Sequence, residues 1–139
     1  MKSNLKVLNL NLKYLPAILY MALIFYMSSI PVPKPVGQIL IHFDPEKHLA
    51  HLVEYAILSI LLYLASRNYC KSFIIGALYG LSDEIHQYFV PTRFFDLFDL
   101  TFDCIGALVG ALLASLMYKV VIKKVNKLGV VQQQRVCPH

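Results

Sequence analysis

Four long apolar blocks, separated by short polar segments, dominate the hydrophobic pattern of the chain. They cover residues 14–30, 46–65, 72–89 and 96–121. Each block is close to the roughly 20 residues that a helix needs to cross a bilayer, although the end of the third block is polar. The pattern therefore predicts an all-α fold, a polytopic membrane bundle of four transmembrane helices.

Prolines lie near the ends of these blocks. Pro16 falls in the first turn of the first helix, where its missing N–H costs little, Pro45 enters the second helix, and Pro91 ends the third. The link after the first block is expected to hold a short interfacial turn at residues 39–43. No small-residue cleavage site follows the first block, so we interpret this block as a retained helix and not as a signal peptide.

The length of the chain suits a single domain. We assign residues 1–13 to a cytoplasmic N-terminal segment, residues 14–122 to the four-helix membrane domain, and residues 123–139 to a polar C-terminal tail without regular structure. Hydrophobic residues make up 58% of the chain and charged residues only 15%, a balance that argues against an ordinary soluble domain. Three widely spaced cysteines offer neither a disulfide framework nor a CxxC metal pair.

The charges of the chain are segregated. Basic residues cluster before the first helix, between the second and third, and after the fourth, so the net charge of +5 reflects membrane topology and does not indicate a nucleic-acid partner. The positive-inside rule then places both termini in the cytoplasm of a multi-pass cell-membrane protein, with the lipid bilayer as its partner. All eight acidic residues fall at the outer end, together with four of the five histidines: His42, His48, His51 and His86.

Three of the predicted helices each carry a polar stripe at helical spacing. The stripe residues are Lys47, His51, Glu54 and Leu58 on the second helix, Gly76, Gly80, Glu84 and Gln87 on the third, and Asp96, Asp99, Asp103, Gly106 and Gly110 on the fourth. Ionisable side chains at membrane depth are costly in lipid, so we expect them to face one shared polar cavity. The glycines allow close helix packing, either within one chain or in a homo-oligomer.

Carboxylates in this predicted cavity outnumber the fixed cations near them. This excess indicates a missing cation, which could be a metal, protons or a cationic substrate, unless the groups only stabilise the bundle as a structural polar network. A divalent metal ion is thus a candidate cofactor, with His48, His51, Glu84 and His86 as candidate ligands. Ser28 and Ser29 are expected to hydrogen-bond back to the first helix.

Two motifs resemble those of VanZ-like membrane proteins. The first is the run from Glu46 to His51 followed by Glu54, Tyr55 and Leu58; the second is Asp83 to Gln87 followed by Pro91, Arg93, Asp96, Asp99, Gly106 and Gly110. Glu46 and Asp103 stand where the family usually has Asp and Asn. The founding member is linked to teicoplanin resistance, so the resemblance implies a cell-envelope role and an outward-facing polar site without supplying a reaction.

Our leading hypothesis is a cavity that binds a lipid-linked or cell-wall-related ligand through an anionic head group. Acid/base or cation-holding roles are assigned to Glu54, Glu84, His51, Asp99 and Asp103, and ligand binding to Lys47, Arg93, Gln87, Asp83 and Asp96. A membrane-embedded lipid-phosphate hydrolase or transferase is the enzymatic alternative, since histidine and carboxylate could act as base and acid. A cation or proton pathway is the third alternative, although the cytoplasmic halves of the helices contain no acidic residue to continue a relay.

Overall fold

The computed structural model describes the backbone of residues 2–31 and 44–136, and the side chains of residues 12–31 and 44–127. Within these ranges the chain is all-helical, as predicted, and has four helices. They are α1 (Lys2–Ser28), α2 (Pro45–Ser66), α3 (Tyr69–Tyr88) and α4 (Leu97–Val136). The expected interfacial turn at residues 39–43 and the residue His42 lie outside the described residues.

The helix ends differ from the sequence prediction at both termini. Helix α1 begins at Lys2, so residues 2–13, assigned from the sequence to a separate N-terminal segment, belong to the first helix. Helix α4 continues to Val136, so the prediction that the tail lacks regular structure is wrong for residues 123–136. The reason is local: residues 122–136 contain no proline and a single glycine, and Lys, Gln and Arg are good helix formers, so nothing in this stretch ends the helix.

Short polar caps define the α2 boundaries. The Asp44 carboxylate accepts hydrogen bonds from the backbone N–H groups of Glu46 (3.2 Å) and Lys47 (3.3 Å), which fixes the start of α2. We call the end of the bundle at which α2 and α4 begin its outer end. At the other end Arg67 adopts a left-handed conformation with φ of 55° and closes α2. Asn68 follows immediately and caps α3, because its side chain accepts from the backbone N–H of Lys71 at 3.0 Å. This short connection makes α2 and α3 antiparallel neighbours.

Helices α2 and α4 form the most extensive contact of the bundle, and their paired residues advance in the same direction. Two glycines explain how closely they approach. A Cβ atom on Gly106 would overlap the backbone carbonyl of Leu52, and one on Gly110 would overlap that of Ala56. These glycines therefore serve helix packing within one chain.

Large apolar side chains cover the outside of the bundle. Leu78 on α3 and Leu116 on α4, for example, are 61% and 58% exposed. Among the described residues, Pro45–Ser66 and Leu97–Lys127 are long and apolar enough to cross a membrane, and Leu12–Ser28 is a shorter apolar helix. Helix α3 differs from these because its outer turns carry ionisable residues that point into the bundle.

Candidate functional site

Two histidines of α2 contact two aspartates of α4 at the outer end of the bundle. His48 Nδ1 lies 2.8 Å from Asp99 Oδ1, and His51 Nδ1 lies 2.9 Å from Asp103 Oδ1. Both aspartates are fully buried, and the histidines are nearly so. His48 and His51 are three residues apart on α2, and Asp99 and Asp103 are four residues apart on α4. Both spacings place the two side chains on one face of their helix, so the two pairs can form side by side. The result is a row of buried polar pairs between parallel helices.

The outer rim of this row is formed by Lys47, whose ammonium group makes an ion pair with Asp99 and lies 3.5 Å from Asp96 Oδ2. The Lys47 side chain is 37% exposed, whereas that of Asp99 is fully buried. Partial burial acts to raise the pKa of the Asp96 carboxyl, but the N–H of Phe98 and the charge of Lys47 outweigh it and hold that pKa below its usual value. Asp96, which precedes α4, is therefore a carboxylate at neutral pH.

Helix α3 brings Glu84 to the same place. One carboxylate oxygen, Oε2, accepts the backbone N–H of Asp96 at 2.8 Å, and the residue is fully buried. The other oxygen, Oε1, accepts no hydrogen bond from the residues that the structure describes, and the same holds for Oδ2 of Asp103. His51, Glu84 and Asp103 each offer one atom of a metal-ligand type, and these atoms lie within 4.8 Å of one another. Side chains from α2, α3 and α4 thus meet at one point.

Tyr55 and Gly80 pack beside this cluster. Tyr55 is completely buried, and its hydroxyl has no hydrogen-bond partner among the described residues. A Cβ atom on Gly80 would lie 3.2 Å from Asp103 Oδ2 and 3.2 Å from the Tyr55 ring. Glycine at this position therefore allows the α3 backbone to pack closely against Asp103 and Tyr55.

A second polar cluster joins α1 to α3. Asp83 Oδ2 accepts hydrogen bonds from the Ser28 hydroxyl at 2.8 Å and from Gln87 Nε2 at 2.9 Å. Ser29 bonds back to the carbonyl of Phe25 at 2.7 Å, as expected from the sequence, but Ser28 does not: it donates across to Asp83. Sequence reasoning missed this contact, because two adjacent serines at a helix end carry no sign of a partner 55 residues away.

Arg93 belongs to this second cluster. Its guanidinium donates to the carbonyls of Ile30 at 3.1 Å and Met27 at 3.2 Å, and to Gln87 Oε1 at 3.1 Å. It thereby satisfies carbonyls at the C-terminal end of α1 and ties that end to α3. The structure thus gives Arg93 a bridging position between helices, which differs from the head-group contact that the sequence suggested.

The four metal ligands suggested by the sequence do not converge. The His86 ring stacks on Phe25 with 4.2 Å between centroids and its Nε2 lies 3.0 Å from the Ser29 hydroxyl, so it faces α1. The His48 ring contacts Asp99 and stacks on Phe102, with centroids 5.1 Å apart. Only two members of the suggested set, His51 and Glu84, come together in the candidate cluster, and Asp103 joins them.

Glu54 lies between the two clusters. It is partly buried, one helical turn beyond His51 on α2, and it interacts electrostatically with His51 from one side and with Asp83 and Arg93 from the other. The structure therefore brings the suggested residues together in two adjoining groups: the α2–α4 row with Glu84, and the α1–α3 cluster that contains Asp83, Gln87 and Arg93.

The two helices that are long and apolar enough to span a bilayer, together with the apolar outer surface, suggest a membrane protein. The family model described as VanZ/LLP1 matches residues 14–118. The chain therefore belongs to the VanZ/LLP1 family, as its motifs predicted. A search of curated proteins and a search of solved structures gave no match.

Proposed function

We propose that this protein spans the cell membrane four times, with both termini in the cytoplasm, and that its outward-facing pocket binds the anionic head group of a lipid-linked or cell-wall-related ligand. The observation that carries the proposal is the exposed rim of the α2–α4 row, because the side chains behind that rim are almost fully buried, His48 included at 2% exposure. Lys47 and Asp96 at the rim have side chains that are 37% and 31% exposed, His51 is 10% exposed, and Asp99 and Asp103 are fully buried. A polar row that opens at one end is suited to admit a head group from the surface.

The distribution of basic residues supports this orientation. Arg67 and Lys71 lie at the end of the bundle opposite the acidic pocket, and so do the exposed lysines in the last turns of α4. The positive-inside rule places that end in the cytoplasm. The acidic pocket then lies just beneath the extracytoplasmic surface.

Lys47 is the residue most suited to contact the head group. Its ammonium group is the outermost fixed cation of the row, and its contact with Asp96 is long, at 3.5 Å. A phosphate or carboxylate group can therefore approach Lys47 without breaking the closer ion pair with Asp99. His51 lies deeper along the same row and offers a second donor when it is protonated.

Native mass spectrometry with lipid analysis tests the binding proposal. Wild-type protein purified in detergent is expected to retain an anionic, lipid-linked molecule, and Lys47→Gln is expected to lose most of it. Lys71→Gln is the matched control, because it removes a lysine at the other end of the bundle. Equal retention by the Lys47 and Lys71 variants, or no retained ligand in the wild type, would refute the proposal.

Cysteine labelling of intact cells tests the orientation. Thr92 and Cys70 are both exposed and lie at opposite ends of the bundle, Thr92 in the connection between α3 and α4 and Cys70 in the first turn of α3. Thr92→Cys, in a chain whose native cysteines are replaced by serine, is expected to react with a membrane-impermeant maleimide. A chain that keeps only Cys70 is expected to react after lysis alone. The reverse pattern would place the acidic pocket in the cytoplasm and end the proposed topology.

A membrane hydrolase or transferase acting on a lipid phosphate is the second candidate function. The observation in its favour is the contact of His51 with Asp103 beside the free oxygen of Glu84, which offers a base and an acid at the same depth. This function predicts turnover of a lipid-phosphate substrate that Glu84→Gln abolishes. Ligand retention without turnover would favour binding alone, and a change in teicoplanin sensitivity on deletion would connect either activity to glycopeptide resistance.

A further inference from the structure

We propose that His51, Glu84 and Asp103 bind one divalent transition-metal ion at the point where α2, α3 and α4 meet. The three residues come from three different helices, and one ligand-type atom of each lies within 4.8 Å of the others. Metal–ligand distances of about 2.0–2.2 Å require these atoms to move slightly closer, which rotation of two carboxylate side chains can supply.

Two residues of this cluster have a buried oxygen without a hydrogen-bond partner. Glu84 and Asp103 are fully buried, yet Oε1 of Glu84 and Oδ2 of Asp103 accept no hydrogen bond from the described residues. An unpaired buried carboxylate oxygen costs free energy, so such atoms are rare unless something else binds them. His51 adds a ring nitrogen to the same cluster: its Nδ1 lies 2.9 Å from Asp103 Oδ1 and its Nε2 lies 3.8 Å from Asp99 Oδ2. Glu84 and Asp103 therefore each have one carboxylate oxygen without a hydrogen bond from the described residues, and a metal ion bound by all three side chains would replace the contact between His51 and Asp103.

The charges of the cluster also favour a bound cation. Lys47 forms its closest contact with Asp99. Glu84 and Asp103 share their cluster with His51, whose imidazole is neutral when it binds a metal ion. Two buried carboxylates with a single imidazole carry excess negative charge in a low-dielectric interior, and a divalent ion neutralises it.

Gly80 allows close helix packing at the same point. A Cβ atom there would lie 3.2 Å from Asp103 Oδ2, which is tight packing against the free oxygen. The glycine therefore lets the α3 backbone pack closely against Asp103. Gly80 lies one turn from Glu84 on the same face of α3, so this close packing also brings the Glu84 carboxylate to Asp103.

The chemistry of the donor set narrows the choice of ion. One imidazole and two carboxylates suit Zn²⁺ or Mn²⁺ better than the soft, thiolate-preferring ions. Three protein ligands leave at least one coordination position free, as in catalytic metal sites. The ion would share the pocket of the proposed head-group site, but its binding does not depend on the nature of that ligand.

Metal analysis of the purified full-length protein tests the proposal. Protein treated with chelator and then dialysed against Zn²⁺ or Mn²⁺ is expected to retain one ion per chain. Glu84→Gln and Asp103→Asn are expected to weaken binding by about tenfold or more, since even changes around a metal ligand have effects of that size. Glu46→Gln is the control, because it removes an exposed carboxylate outside the cluster and is expected to bind as the wild type does.

A spectroscopic measurement on the wild type keeps the test valid if the variants fail to fold. Added Co²⁺ is expected to give visible absorption bands that differ from those of the aqueous ion and that disappear when Zn²⁺ is added. A true site fills with about one ion per chain. The proposal would be overturned if folded wild-type protein retained less than about a tenth of an ion per chain. A Co²⁺ spectrum identical to that of the aqueous ion would overturn it as well. Metal binding without any retained lipid would leave it standing and refute only the head-group function.

Discussion

The interface between α2 and α4 has two halves with opposite chemistry. In the outer half, His48 and His51 contact Asp99 and Asp103 through hydrogen bonds. In the inner half the two helix backbones pack directly, at glycines 106 and 110. The two halves therefore have different roles. The glycines allow the helices to approach closely enough for the outer side chains to contact each other, and the outer side chains are the ionisable groups of the candidate site.

The largest effect is expected when the inner half is broken. Gly110→Val places a side chain against the carbonyl of Ala56, where no space exists, and overpacking of this kind costs about 3 kcal/mol or more. We expect loss of the folded bundle in denaturation measured by helicity in mixed micelles. Val109→Leu is the matched control, since Val109 is 39% exposed on the outside. Wild-type stability of Gly110→Val would show that the backbones do not meet there.

A smaller effect is expected when the outer half loses one charge. Asp99→Asn keeps the shape of the side chain but removes the charge that both Lys47 and His48 contact. Hydrogen bonds to charged groups are worth about 1.5–3 kcal/mol, so we expect a loss of that order in the same denaturation assay. Glu46→Gln, an exposed change on α2, is expected to have no measurable effect. An unchanged Asp99→Asn variant would show that the row is not paired.

Arg93 provides a test outside the α2–α4 interface, because it joins α1 to α3. Arg93→Gln removes hydrogen bonds to the carbonyls of Met27 and Ile30, and we expect a loss of about 1–2 kcal/mol with α1 detaching first. Arg93→Lys, which keeps the charge but lacks the planar fork, is expected to recover part of this loss. Faster proteolysis of α1 alone is the readout. If the α2–α4 row were lost together with α1, the two regions would not be independent.

The smallest effect is expected at the rim. Asp96→Asn removes a partly exposed contact with Lys47, and such pairs contribute less than about 1 kcal/mol. Because the folded state holds the pKa of Asp96 below its usual value of 3.8, the carboxylate stabilises the protein above that pH and loses its effect as the pH falls further. The stabilities of wild type and variant are therefore expected to converge below about pH 3.8, as the carboxyl becomes protonated. A constant difference down to lower pH would exclude a charge effect.

Much of the fold followed from the sequence, because apolar blocks and prolines are local signals. The extension of α4 through residues 123–136 did not follow from the sequence. The apolar block identified only the part of the helix that could lie in a membrane, and a polar continuation of the helix has no such signal. The spacing of Asp99 and Asp103 predicted a common face, and both side chains occupy the α2–α4 interface.

The partners of single side chains could not be read from the same spacing. His86 and Glu84 are close in sequence, yet they face different neighbours, α1 and α4. Which neighbour each one meets depends on the rotation of α3 about its axis. That rotation is set by packing contacts such as Gly76 against Ser59, which helical periodicity does not encode.

A double-mutant cycle between His51 and Asp103 tests the central claim most directly: imidazoles and carboxylates from separate helices meet in one buried pocket. The measurement is the free energy of unfolding of wild type, His51→Asn, Asp103→Asn and the double variant, all with chelator present so that metal cannot contribute. Because the two side chains lie 2.9 Å apart, we predict a coupling energy of about 1 kcal/mol or more. Additive effects, within about 0.3–0.5 kcal/mol, would show that the two helices do not bring these groups together.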